Sequence, residues 1–239
     1  MIMYKTNFPD KINVLSTVRY IDGGASINNY SNFNLGLHTG DDESSVKHNR
    51  KLLRELYKLP SQPRWLNQTH SNICIDDSNV NIENADASIT SRDGVVCAIL
   101  TADCLPIFAC NRRGTVVGVA HAGWKGIVEG IVESFVESFK DDELLFHFGA
   151  AISQEAFEVG DDVYMQFINK DSSLRNSFIK YNDRYRLNIY SAAKTILNGI
   201  GMDNISGGDQ CTYLQQDKYF SYRRDGLKSG RMAHLIWKS

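Results

Sequence analysis

The sequence has little that would tie it to a membrane or to nucleic acid. Its net charge is −2, so bulk electrostatics draws it neither to a phosphate backbone nor to an anionic lipid surface. No apolar run approaches the roughly 18 residues that a membrane span requires, and the opening "MIMYKTNFPDKINV" lacks the basic-then-apolar order of a secretory signal. Proline is scarce, 4 in 239 residues, and no linker, low-complexity tract or internal repeat interrupts the chain, which therefore reads as one domain over 1–239. Five cysteines (Cys74, Cys97, Cys104, Cys110 and Cys211) include no C-x-x-C pair and are odd in number. That excludes a disulfide framework in favour of a reducing, cytoplasmic setting. No GxxxxGK[ST] loop is present, so a P-loop nucleotide site is excluded too.

What is present is strand and helix in alternation. "GDDESSVKHNRKLLRELYKLP" opens on acids, ends before Pro60 and places Val46, Leu52, Leu53, Leu56 and Tyr57 on one helical face. "PRWLNQTH" is a short strand candidate, and "GVVCAIL", "LPIFAC" and "TVVGVA" are apolar runs bounded by turn signals. From Ile127 to Phe139 the apolar residues recur at helical spacing. A strand "LLFHFGAAI" follows, then helices "DDVYMQFINK" and "NIYSAAKTILNGIG", the latter closed by Gly201, and a last strand "RMAHLIW". The pattern predicts an α+β fold with a mixed sheet and flanking helices.

The informative stretch is "TADCLPIFACNRRGTVVGVAHAGWKG". A hairpin symmetric about Arg112–Arg113 pairs residues whose numbers sum to 225, which sets Cys110 opposite Thr115 and Cys104 opposite His121. Such a pair suits a shared metal or a thiol–imidazole hydrogen bond, and a slip or bulge near Pro106 would break it. "HAGWKG" leads from a strand into a helix, where backbone N–H groups and Lys125 can hold an anion. Cys74, Cys97, Cys110 and Cys211 read as buried packing, and His38, His48, His147 and His234 as structural. His70, in the polar turn "NQTHSN", has a usual address for a site residue. One thiolate with two imidazoles makes a three-ligand zinc set with an open fourth position, and suits copper as well. A multicopper cluster needs more imidazoles than the six scattered histidines here. A metal-free hydrolase with Cys104 as nucleophile and His121 as base stays open, as does an inert thiol in a binding protein.

The motifs "NFNLGLHTGDD…HNR", "NQTHS", "TADCLPIF", "AHAGWKG", "AFEVGDDV" and "SYRRDGLKSGRMAHLIW" together resemble the YfiH-like family, long labelled polyphenol oxidase or laccase-domain proteins. The resemblance runs from about Arg19 to Trp237. It implies an α+β fold shared with cysteine-hydrolase-like domains. It also implies phosphorolysis of adenosine, inosine and methylthioadenosine, and deamination of adenosine; a bacterial branch is linked to removing wrongly built peptidoglycan precursors. The family's metal ligands fall on His70, Cys104 and His121, with zinc as the expected cofactor. The expected partners are a small-molecule nucleoside and phosphate, with no nucleic acid and no membrane; the oligomeric state is left open. Lys125, Arg50 and the two arginines of "SYRRDG", Arg223 and Arg224, are the candidates for holding phosphate. The chain departs from the family in having Gly149-Ala150 where Gly-Pro is usual.

Overall fold

Strands that read as unbroken apolar runs need cover on both faces, and the fold supplies it in four layers. The computed structural model describes residues 2–79, 84–141 and 143–239. A six-stranded mixed sheet has the spatial order β12 (Ile205–Gly207), β8 (Leu144–Phe148), β6 (Leu105–Asn111), β7 (Val117–Ala122), β4 (Ala87–Thr90) and β3 (Cys74–Ile75). One face of it carries α2 (Trp124–Glu129), α3 (Ile131–Phe139) and α5 (Ile189–Gly199). The other face meets a four-stranded antiparallel sheet, β1 (Ile2–Met3), β2 (Ile12–Ser16), β13 (Met232–Lys238) and β5 (Cys97–Thr101). The far side of that sheet is closed by α1 (Glu43–Tyr57), through Leu53 against Ala98, Leu235 and Trp237. A small sheet of β9 (Glu158–Val159), β10 (Phe178–Tyr181) and β11 (Arg184–Leu187), with α4 (Asp161–Lys170), and a short α6 (Tyr222–Asp225) complete it. The fold is α+β. Among the described residues no helix is long and apolar enough to cross a membrane.

The two central strands show the alternation behind this layering. Ile107 and Ala109 of β6 and Ala120 and Ala122 of β7 face the helices, whereas Phe108, Cys110, Val117 and Val119 face the second sheet. The β6–β7 register differs from the expected one. Pro106 pairs with His121 and Cys110 with Val117, a sum of 227 rather than 225. The turn is longer than a symmetric hairpin about Arg112–Arg113: Gly114 takes a left-handed φ of 64°, and the Asn111 side chain accepts from the N–H groups of Thr115 and Val116. Because the difference is two residues, it moves His121 along the strand without turning it to the other face.

Other expectations were altered by local geometry. "IVEGIVESFVESF" is two helices because Gly130 adopts φ 96° between α2 and α3. "PRWLNQTH" forms only isolated bridges at Arg64 and Asn67. Leu56 of α1 is 51% exposed, and Asn49 takes the interior place beside Val46 and Leu53. The helix over 161–170 and the Gly201 cap, at φ 82°, are as read from the sequence.

One buried polar chain crosses the four-stranded sheet. His234 of β13 is 1% exposed and bonds Ser16 Oγ through Nδ1 at 2.6 Å and Thr101 Oγ1 through Nε2 at 2.7 Å. Burial lowers its pKa to about 3, so the ring is neutral in the folded chain. An unfolded His titrates near 6.5, so between pH 6.5 and 3 the unfolded state binds more protons and stability drops as the pH is lowered, by about 1 kcal/mol per unit. Urea unfolding at pH 7 and pH 5 is expected to show a smaller acid loss in His234→Gln than in the native chain, by about 1–2 kcal/mol. Equal losses in both would remove His234 from the acid response.

Candidate metal centre and its cleft

Cys104 and His121 meet at one end of the space between the two sheets. Cys104 lies between β5 and β6 on the same side as Pro106 and Phe108, and His121 lies on the same side as Val117 and Val119. His70 comes from the irregular segment after Arg64 and is held at φ 62°, a left-handed conformation rare for a residue with a side chain. One ligand atom from each of His70, Cys104 and His121 lies within 4.8 Å of the other two. Cys104 Sγ is 3.7 Å from His70 Nε2, and the two imidazoles stand edge to face with centroids 4.7 Å apart. Two ligands of one tetrahedral zinc, with bonds of about 2.3 Å to sulfur and 2.0–2.1 Å to nitrogen, lie about 3.5 Å apart. The donors present therefore fit such an ion.

A carboxylate that the sequence reading missed organises two of the three, His70 and His121. Asp86, with no exposed surface, sits at the lip of β4. It accepts from His121 Nδ1 at 2.8 Å and from the backbone N–H groups of Thr69, His70 and Ser71 at 3.1, 3.0 and 2.7 Å. The first bond commits the other nitrogen of His121 to the site; the other three hold the loop that carries His70. Burial alone raises the pKa of Asp86, but the His121 and Ser71 bonds outweigh it and bring it to about 2. Likewise burial pushes the Cys104 thiol up, while His121 and His70 together bring it down to about 6. Burial opposes protonation of His121, yet Cys104 and Asp86 raise it to about 9. Without an ion the chain thus holds a thiolate–imidazolium pair, and a metal entering it displaces a proton.

The cluster forms the floor of a cleft of about 580 Å³ walled by Trp124, Tyr222, Lys125, Arg223, Arg231 and His38. The structure brings Lys125 and Arg223 to this cleft and places Arg50 and Arg224 elsewhere. Arg224 donates to the carbonyls of Thr212, Tyr213 and Tyr219 and pairs with Asp225. Arg50 lines a neighbouring groove over Trp65. Arg231 was not singled out by the sequence, and His38, read there as structural, lies in the cleft wall. Asp103, at φ 92° and buried, ties the far wall down by accepting from Thr212 Oγ1, Ser221 Oγ and the Arg223 N–H.

Gly123 shows how tightly the site is fitted. Its φ of −72° and ψ of 160° suit any residue. A Cβ there would lie 2.5 Å from His70 Cδ2 and 3.0 Å from Cys104 Sγ. Gly123→Ala is therefore expected to fold normally by circular dichroism and to bind zinc about 10–100-fold more weakly in a chelator competition. Native affinity would show that His70 is not needed where it stands.

Known proteins resemble the chain over nearly its whole length. The family model described as multi-copper polyphenol oxidoreductase laccase matches residues 14–239. Purine nucleoside phosphorylase YfiH of Escherichia coli (strain K12) is 43% identical over 219 residues, 90% of each chain. A purine nucleoside phosphorylase of Haemophilus influenzae is 41% identical, covering 97% of this chain and 96% of its own. The crystal structure of a Neisseria meningitidis protein superposes with a TM-score of 0.93 at 37% identity, over 100% of this chain and 98% of that one. A protein titled hypothetical protein YfiH from Bacillus licheniformis gives 0.85 at 26%, over 96% and 94%. By the extent of these matches the chain belongs to the YfiH-like family described by the multi-copper polyphenol oxidoreductase laccase model.

Proposed function

We propose that the chain is a zinc-dependent purine nucleoside phosphorylase acting on adenosine, inosine and methylthioadenosine, which also deaminates adenosine. The observation that carries this reading is a metal-competent His-Cys-His floor beneath a cleft whose wall holds three cations, Lys125, Arg223 and Arg231. The names of the relatives support the substrate class. Among the described residues a single His/Cys group is close enough to share an ion, which is fewer than a multicopper oxidase cluster requires.

Zinc held by His70, Cys104 and His121 supplies Lewis acidity at the floor of the cleft. The chain's own residues do the rest. Lys125 and Arg223 hold phosphate by charge-assisted donation, and Trp124 and Tyr222 present aromatic faces on which a purine stacks. Asp86 keeps the His121 ring oriented through Nδ1. In phosphorolysis a phosphate oxygen bonds to C1′ of the ribose as the C1′–N9 bond breaks. The electron pair leaves with the base, which takes up a proton. In deamination the oxygen of water joins C6 and ammonia departs. A second reading rests on the Asp86–His121–Cys104 order, with Cys104 lowered to about 6: a thiolate hydrolase cutting an amide-linked peptidoglycan precursor.

Two measurements separate these. Purified protein is expected to hold about one zinc per chain, lost in Cys104→Ala, and to release free base and ribose-1-phosphate from inosine only when phosphate is added. Metal-stripped protein that keeps full activity on an amide-linked precursor, and none on nucleosides, would install the second reading. Lys125→Ala and Arg223→Ala are each expected to raise KM for phosphate about tenfold while KM for inosine moves less than about twofold. Equal rises in both would place these cations outside the phosphate site.

A further inference from the structure

Beside the cleft lies a second concavity that the proposed reaction does not use. It is a groove of about 810 Å³ along α1, within the roughly 300–1,000 Å³ range of small-molecule sites. Lys47, Arg50, Lys51, Arg54 and Lys58 line it. At 100° per residue the first four project within a stripe about 100° wide, and Lys58 follows as the left-handed residue that caps the helix. The groove has one carboxylate, Glu55, which pairs with Lys51 at 3.8 Å; Lys47 pairs with Glu43 outside the groove at 2.7 Å. Among the described residues Arg50, Arg54 and Lys58 have no carboxylate partner. So dense a positive field is unusual in a chain of net charge −2.

Arg50 shows that the field is aimed. Its guanidinium lies 4.2 Å from the Trp65 ring centroid and donates through Nε to the Leu35 carbonyl at 2.9 Å. It is partly buried, and burial lowers its pKa to about 10. An anion in the groove would relieve that penalty. The Arg50–Trp65 pair offers a flat, cationic stacking surface; Arg54 extends the charge one turn along the helix, and Lys58 continues it at the helix's left-handed cap.

We propose that this groove is a separate binding site for a nucleoside polyphosphate, with the base stacked on the Arg50–Trp65 pair and the phosphates along Arg54 and Lys58. The site is distinct from the metal-floored cleft, and the proposal stands whether or not the chain is a phosphorylase. Leu37 of the groove adjoins His38 of the cleft, and the segment from Trp65 of the groove runs on to Gln68 and His70 of the cleft. A ligand here therefore rests on two segments that continue into the metal site.

The test is titration of the full-length, metal-loaded chain with ATP in excess magnesium, followed by tryptophan fluorescence. A saturable change is expected that disappears in Trp65→Phe and weakens as salt rises. Arg54→Glu/Lys58→Glu is expected to lower the affinity at least about tenfold, whereas Arg54→Lys/Lys58→Arg, which keeps the charge, retains it. Thermal unfolding confirms that both double variants fold. Inorganic tripolyphosphate is expected to compete at least about tenfold more weakly than ATP, because it lacks the base. An absent ATP signal, an unchanged affinity in the charge-reversed variant, or tripolyphosphate binding as tightly as ATP would each overturn the proposal. Tighter binding by a single-stranded oligonucleotide than by ATP would overturn it as well, transferring the groove to nucleic acid.

Discussion

The candidate site hangs on one buried carboxylate. Asp86 receives five donors: three consecutive backbone N–H groups of the 69–71 loop, the Ser71 hydroxyl at 2.7 Å and the ring of His121. A buried charge of this kind is tolerated only when fully satisfied, so removal of Asp86 would strand the loop and the ring together. The left-handed His70 has its strain balanced here, since one carboxylate holds its N–H through Oδ1 and those of both neighbours through Oδ2. Two of the three candidate ligands, from distant segments, are thus positioned by one side chain, and the third, Cys104, is placed by the start of β6.

The opposite wall repeats the device. Asp103, next to Cys104, accepts from Thr212, Ser221 and Arg223 and so pins the segment that ends in α6. The cleft therefore has a carboxylate on each side, each holding a loop that lines it. This leaves the mouth to Lys125, Arg223 and Arg231 and makes it cationic although the chain as a whole is not. In this wall Ala150 is fully buried beside Ala102, Tyr219 and Phe220.

Much of this was legible in the residues. Apolar periodicity identified α4 and the strands β6 and β7, and strand parity put Cys104 and His121 on one face even though the register differed by two. The register itself was not readable because it depends on the Asn111 side chain bridging its own turn. The break at Gly130 was hidden because its flanking apolar residues keep helical spacing through a left-handed residue. Asp86 escaped notice because its partners lie 15 to 17 residues upstream in an irregular loop and 35 downstream in a strand. Only folding reveals why an acid stands in the apolar stretch "ADASIT".

The strand order carries a consequence for how the protein is made. In the four-stranded sheet β13 lies between β2 and β5 and pairs with both. More than half the chain separates β5 from this partner in sequence. At a translation rate of 5–20 residues per second, roughly ten seconds pass between the emergence of the two. Throughout that interval β2 and β5 have open edges, and the Cys104 thiol lacks its roof of Arg231 and Tyr222. The nascent chain thus passes through a long exposed stage, in which sheltering by chaperones has its greatest value.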